Sequence, residues 1–286
     1  MKMFRAFLTC LALIFISPCN IVFAQEPNIQ QLKQIEMFSD KSIVPESTQE
    51  IDSAAVSGPT IYVDDVSGNL ATINLGTYAV HFIGNAGVQL TDIAFHPKTH
   101  TLYGVSFSSF YSINKTTGHA TFIGYLGVSD VNALVFNSLG KAFSAGFSSN
   151  ELYTINVSTG KVSVVGRMGS YVSGGDLTFY NDQLVLTGVK RCCTTTTPYS
   201  LVALNENTGA VVGTPVPINS KDVWGIVSTG KNELFGLGIT APGTTPALYK
   251  FEPSNPAGKR DILLKNLKSS GLGQIWGAAY DGNYQP

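Results

Sequence analysis

The side chains of this sequence that invite a chemical reading are four aspartates, two tryptophans, the histidines and one adjacent pair of cysteines. Asp92, Asp130, Asp176 and Asp222 recur at the starts of short apolar segments. Such carboxylates act as general acid and base in glycoside cleavage when a pair stands about 5–9.5 Å apart, and they are also hard oxygen ligands for calcium. The same residue type caps turns and solvates strand ends, which asks for no pairing at all. No acidic loop with EF-hand spacing is present. His96 and His100 have the interval of a helical metal pair, but they lie in HPKTH, which reads as a turn and has no Cys or carboxylate beside it. A Gly-x-Ser-x-Gly nucleophile elbow is missing.

These candidates need a scaffold, and composition bounds it. The chain has 286 residues, of which 44% are hydrophobic and only 13% charged, with a formal net charge of −1. An average chain is about 25% charged. A partner bound through a basic surface, nucleic acid above all, is disfavoured. Residues 1–24 combine Lys2 and Arg5 with the apolar run Phe7 to Ile16 and end in Val22-Phe23-Ala24. That is the pattern of a secretory signal cleaved after Ala24. It implies a secreted or periplasmic protein with no membrane attachment after cleavage. Residues 25–58 are polar and read as a flexible arm, with a short helix possible over Ile29–Phe38.

From residue 59 onward the chain repeats. IYVDDVSGNLATINLGTYAVHFIG, LYGVSFSSFYSINKTTGHATFIG and AFSAGFSSNELYTINVSTGKVSVVG share one plan. Each has an apolar strand, a small-residue turn, a strand ending in Ile-Asn, a polar turn and a strand ending in Gly. The Ile-Asn pairs Ile73-Asn74, Ile113-Asn114 and Ile155-Asn156 are 40 and 42 residues apart, and diverged copies follow at Leu204-Asn205 and Phe251-Glu252. A further apolar strand separates the copies: TDIAF, NALVF, GDLTF, WGIVS and, last, WGAAY. Four strands in 40–50 residues is the period of a β-propeller blade. The first copy lacks an innermost strand and the last innermost strand, at 276–280, lacks the rest of its blade. The expectation is an all-β, five-bladed propeller of four-stranded antiparallel blades over 59–286. The C-terminal strand would complete the first blade and close the ring, which removes open edges.

The Leu-Tyr-Gly, Ile-Asn and Thr-Gly patterns resemble the repeats of secreted bacterial β-propellers of the quinoprotein-like and NHL-like superfamilies. The resemblance implies the fold and leaves activity open, since propellers host many functions.

Topology then gathers the candidates. The long segments Lys190–Tyr199 and Thr240–Pro246 and the starts of the innermost strands share one face. Asp92, Asp130, Asn132, Asp176, Asp222, Trp224, Gln274 and Trp276 therefore surround one channel mouth. Aromatic walls with a few polar groups are the usual form of a ligand site. The tryptophans equally suit a core that plugs the channel. Cys192-Cys193 lies in the first long segment, and in an oxidising compartment the pair is expected to close a vicinal disulfide or bridge to another chain. Certain quinoprotein dehydrogenases carry such a ring, so the resemblance hints at redox chemistry. The Trp that follows each Thr-Gly turn in those enzymes is missing here.

The leading expectation is a non-enzymatic binding propeller that recognises a glycan, peptide or protein at this mouth. A hydrolase or lyase using the carboxylates is the alternative, and a quinone-linked oxidoreductase ranks third. No cofactor is expected, calcium in the channel being the one that the aspartates could take.

Overall fold

A computed structural model describes residues 58–191, 199–219, 222–230, 233–240, 244–254 and 261–282. The chain divides into two units, Met1–Asp52 and Ser53–Pro286, and every described residue belongs to the second. The signal, all but the last residue of the arm, and Cys192-Cys193 lie outside the described residues.

The repeat folds as expected. Strands β1 (Thr60–Asp65), β2 (Asn69–Asn74) and β3 (Val80–Asn85) start the first blade. The second blade is β4 (Asp92–Phe95), β5 (Leu102–Val105), β6 (Ser109–Ile113) and β7 (Ala120–Tyr125). The third is β8 (Val131–Phe136), β9 (Ala142–Gly146), β10 (Glu151–Ile155) and β11 (Val162–Arg167). The fourth is β12 (Tyr171–Tyr180), β13 (Gln183–Lys190), β14 (Ser200–Leu204) and β15 (Val216–Pro217). The fifth is β16 (Val223–Gly230), β17 (Glu233–Ile239), β18 (Pro246–Phe251) and β19 (Asp261–Asn266). The last strand, β20 (Ile275–Tyr280), pairs antiparallel with β1, Val63 facing Ala278, so blade 1 has the order β20-β1-β2-β3 and the ring is closed. The only described helix is a single 3-10 turn at Lys268–Ser270.

Local chemistry accounts for the motifs. The Asn of each Ile-Asn pair is a turn-former: Asn74, Asn114 and Asn205 each accept two backbone N–H groups of their own turn through Oδ1, and Asn156 accepts one. These are Asx turns. The Gly near the end of each of the first three outer strands answers a packing demand. A Cβ on Gly84, Gly124 or Gly166 would collide with the carbonyl of Thr117, Thr159 or Thr208, the Thr of the next blade's Thr-Gly turn. The motif therefore joins neighbouring blades. His96 and His100 are also structural: His96 Nδ1 accepts the N–H groups of Lys98 and Thr99, and His100 Nδ1 lies 2.7 Å from Asp281 Oδ1.

The outer strands β3, β7, β11 and β19 each carry a register shift at the equivalent point, opposite Leu70/Ala71, Phe110/Tyr111, Leu152/Tyr153 and Leu248/Tyr249. A bulge on an edge strand twists it away from pairing with another chain. Blade 4 departs from the plan, its outer strand being two residues long. Pro215 and Pro217 flank Val216 and supply no N–H to a ladder. Apolar clusters between blades hold the ring together. One joins Leu70, Leu90, Ile93 and Leu102 across blades 1 and 2, and another joins Phe143, Leu152, Leu177 and Leu186 across blades 3 and 4.

Candidate functional site

The innermost strands begin at the channel mouth, and four of them carry a register shift there, in β12 between Ser173 and Leu177 and in three others at a single residue. Register shifts fall between Val131 and Ala133 in β8, between Val223 and Gly225 in β16, and where Asp64 and Asp65 face Gly277 and Ile275 in β20. In β8, β16 and β20 the residues left without a ladder partner are Asn132, Trp224 and Trp276. A bulge re-aims a side chain, and all three line one cleft of about 470 Å³ at the mouth. Asp130 and Asp222 precede two of these bulges with φ of 65° and 54°. Asp tolerates this left-handed backbone better than most residues, which gives both aspartates a local structural role beside the mouth.

Phe107 and Phe147 supply a second wall, from the connections after β5 and β9. Their rings meet edge to face at 5.9 Å, and Phe107 lies 6.2 Å from Trp276 at an angle of 54°. Both phenylalanines are solvent-facing, 40% and 47% exposed. Trp224 and Tyr199 line the same cleft, where burial and the nearby Asp222 carboxylate raise the Tyr199 phenol above its ordinary range. Gln274, Thr91 and Ser173 complete the polar part of the lining, and Asn132 Oδ1 has no hydrogen-bond partner. No Lys or Arg is among the described lining residues. The tryptophans thus form cleft wall, half-buried rather than sealed in core.

Asp92 and Asp176 stand one layer lower. Along the channel axis, Thr91, Asn132, Gly175, Trp224 and Trp276 border the cleft, whereas Ile93, Leu134, Leu177 and Ala278 border a smaller cavity of about 240 Å³ at the opposite end. Asp92, Ala133, Asp176 and Gly277 fall between. Both aspartates are 0% exposed. Each accepts the N–H of its own strand, Ile93 or Leu177, through Oδ1. Through Oδ2 each reaches the next blade's innermost strand, at Leu134 N and Ile226 N. The two carboxyls are neighbours, and burial followed by repulsion from Asp176 holds Asp92 well above the carboxylate range. Asp176 is raised by burial as well.

Asp64, from the second strand of blade 1, is the member of this layer that sequence reasoning missed. It is 1% exposed, and it enters through the space Gly277 leaves: a Cβ there would collide with Asp64 Oδ1 and lie 2.5 Å from Asp92 Oδ1. Neither Asp64 oxygen makes a hydrogen bond of normal geometry, and the backbone at Asp64 and Gly277 offsets this only in part. Burial, and then the charge of Asp65, push its carboxyl up to about 8.

This layer differs from a glycosidase pair. Asp92 and Asp176 are fully buried beneath the cleft floor, where a sugar ring and a water between them cannot reach. Their oxygens are already held by backbone N–H groups, so they suit calcium poorly. Among the described residues no three His, Cys, Asp or Glu side chains are arranged to hold a metal ion. Phe107 and Phe147 were also missed, although a signal for them existed. The tripeptide Phe-Ser-Ser occurs at 107–109 and again at 147–149, 40 residues on, at equivalent points of two blades.

No protein-family model matches this chain, and no curated protein sequence matches it. Solved structures match by fold. A chain of a nidogen/laminin complex is 10% identical with a TM-score of 0.51, covering 81% of this chain and 83% of its own length. Hydrazine synthase of Kuenenia stuttgartiensis is 15% identical, with a TM-score of 0.46 over 84% of this chain and 73% of that one. TolB of Acinetobacter baumannii is 15% identical, with a TM-score of 0.48 over 79% and 67%. At this identity the likeness to the nidogen/laminin chain carries the fold alone, and the fold is the one read from the blades: this chain is a five-bladed β-propeller.

Proposed function

We propose that this chain is an exported, non-enzymatic binding propeller that holds its ligand in the aromatic cleft at the channel mouth. One observation carries the reading: three separate bulges aim Asn132, Trp224 and Trp276 into a single concave site. Its size is within the range of ligand pockets, about 300–1,000 Å³, and its walls are aromatic. Of the three ligand classes expected from sequence, a peptide segment of a protein partner suits these walls better than a glycan. Sugars need a dense set of polar partners, and the lining offers few. Secretion rests on the N-terminal signal pattern.

The chain contains only two tryptophans, and both are in the cleft, so their emission reports its occupancy. Displayed random peptides selected on the wild-type protein should carry aromatic or apolar anchors. They should shift the tryptophan emission, and they should lose binding to a Trp224→Ala/Trp276→Ala variant whose melting temperature is retained. Peptides that bind wild type and variant equally would place recognition elsewhere. Selective retention of sugars on a glycan array, lost in the same variant, would replace the peptide by a glycan.

A further inference from the structure

The chemical class of the ligand can be narrowed, given the reading of the cleft as a binding site. Four features of its lining bear on charge. The rings of Phe107, Phe147 and Trp276 stand at steep angles to one another, 88° and 54°, so they wall a space instead of stacking shut. The indole of Trp224 faces the same space from another blade. Among the described lining residues none has a basic side chain to pair with an anion. The polar atom left unpartnered in the lining, Asn132 Oδ1, is an acceptor.

Aromatic faces attract a positive charge through their quadrupole, most strongly when the charge has been desolvated. A quaternary ammonium has no N–H groups to satisfy, and each methyl added to an amine removes one, so an apolar aromatic wall costs such a group little. A primary ammonium or guanidinium would demand several acceptors, and the lining provides few. The cleft, about 470 Å³, has room for such a headgroup together with part of the molecule that carries it.

We infer that the cleft formed by Phe107, Phe147, Trp224 and Trp276 is an aromatic cage for a quaternary or methylated ammonium group. The group is common to free choline-type solutes, to choline lipid headgroups and to methylated lysine in a protein partner. The chemistry of the site is the same for all three, and competition separates them.

The test uses the full chain and the emission of its two tryptophans. Choline and tetramethylammonium should bind saturably. 3,3-Dimethylbutanol, which has the shape of choline without the charge, should bind at least about tenfold more weakly. Phe107→Leu/Phe147→Leu keeps apolar bulk and removes two ring faces. It should abolish the preference for the cation while leaving the binding of the neutral alcohol and the melting temperature in place. A trimethyl-lysine peptide set against its unmodified form, and phosphatidylcholine vesicles set against phosphatidylglycerol vesicles, then act as competitors for tetramethylammonium. Whichever competes identifies the source, and if neither does the ligand is a free solute.

Equal binding of choline and its neutral isostere would overturn the inference. So would cation binding that Phe107→Leu/Phe147→Leu leaves unchanged. If the ammonium probes fail while the selected peptides still bind through the tryptophans, the cation class is wrong and the binding cleft stands. If those peptides fail as well, the reading of the cleft itself has fallen.

Discussion

The carboxylate of Asp176 in blade 4 accepts the N–H of Ile226 in blade 5 at 2.7 Å, across 50 residues of sequence and at the centre of the ring. Asp92 makes the same reach from blade 2 to Leu134 of blade 3. The innermost strand of each receiving blade has no further strand on its axial side, so its N–H groups at the bulge need a partner. A buried carboxyl from the preceding blade supplies it.

Removing that staple should be costly. Asp176→Ala leaves the N–H groups of Leu177 and Ile226 without their acceptor and opens a small void. The expected loss is about 2–4 kcal/mol, read as a lower urea midpoint with an unchanged slope. A loss below about 0.5 kcal/mol would show that the contact carries no stability.

Asp64 should make the protein less stable as pH rises. Its folded-state carboxyl lies at about 8, above its ordinary value of 3.8, so between those limits the native state binds more protons than the unfolded chain. Stability is fully present below pH 4 as far as this group is concerned, and it declines as pH rises through 8. Asp64→Asn removes the titration in nearly the same shape. Its melting temperature should exceed that of wild type at pH 8.5, and the pH dependence from 5 to 9 should flatten. Parallel curves for the two proteins would refute this.

The glycines of the outer strands should differ sharply from turn glycines. Gly124→Ala drives a Cβ into the Thr159 carbonyl of the next blade, and neither backbone can yield without separating blades 2 and 3. A cost of about 2–4 kcal/mol is expected, within the range for overpacking at the severe end. Gly127 has φ of 83° and nothing within 4 Å of an added Cβ. Gly127→Ala should therefore cost only the left-handed strain of about 1–2 kcal/mol. Thermal melts of both variants give the comparison, and equal effects would count against blade-to-blade packing as the cause.

Deleting residues 274–286 removes β20 and bares the edge of β1, whose ladder with β20 runs from Ile61 to Asp65. The shortened protein should aggregate or lose its cooperative melt. A soluble variant that melts cooperatively would mean that the ring does not depend on closure.

Much of the scaffold was legible because it is periodic. Asn74, Asn114, Asn156 and Asn205 form turns whose hydrogen bonds are local, so their spacing alone predicts the blades. Closure followed from the unmatched strand at each end. The site was only partly legible. Trp224, Trp276, Asn132 and Gln274 were expected at the mouth from topology and do line the cleft. Asp92 and Asp176 were expected there too, and they lie beneath it as interblade acceptors. One residue of shift along a strand separates cleft wall from buried layer, and bulges, which break the two-residue alternation, set that shift.

By itself, then, the sequence determined the blade period, the turn chemistry and the closing strand. These depend on contacts between residues near in sequence or on counting strands. Only the tertiary structure decided that Phe107 and Phe147 join the two tryptophans, and that Asp64 enters the axis through the space beside Gly277. Those relations link different strands or blades around a closed ring. They are fixed by the register between strands and by the room one chain leaves for another, and no local pattern of residues encodes either.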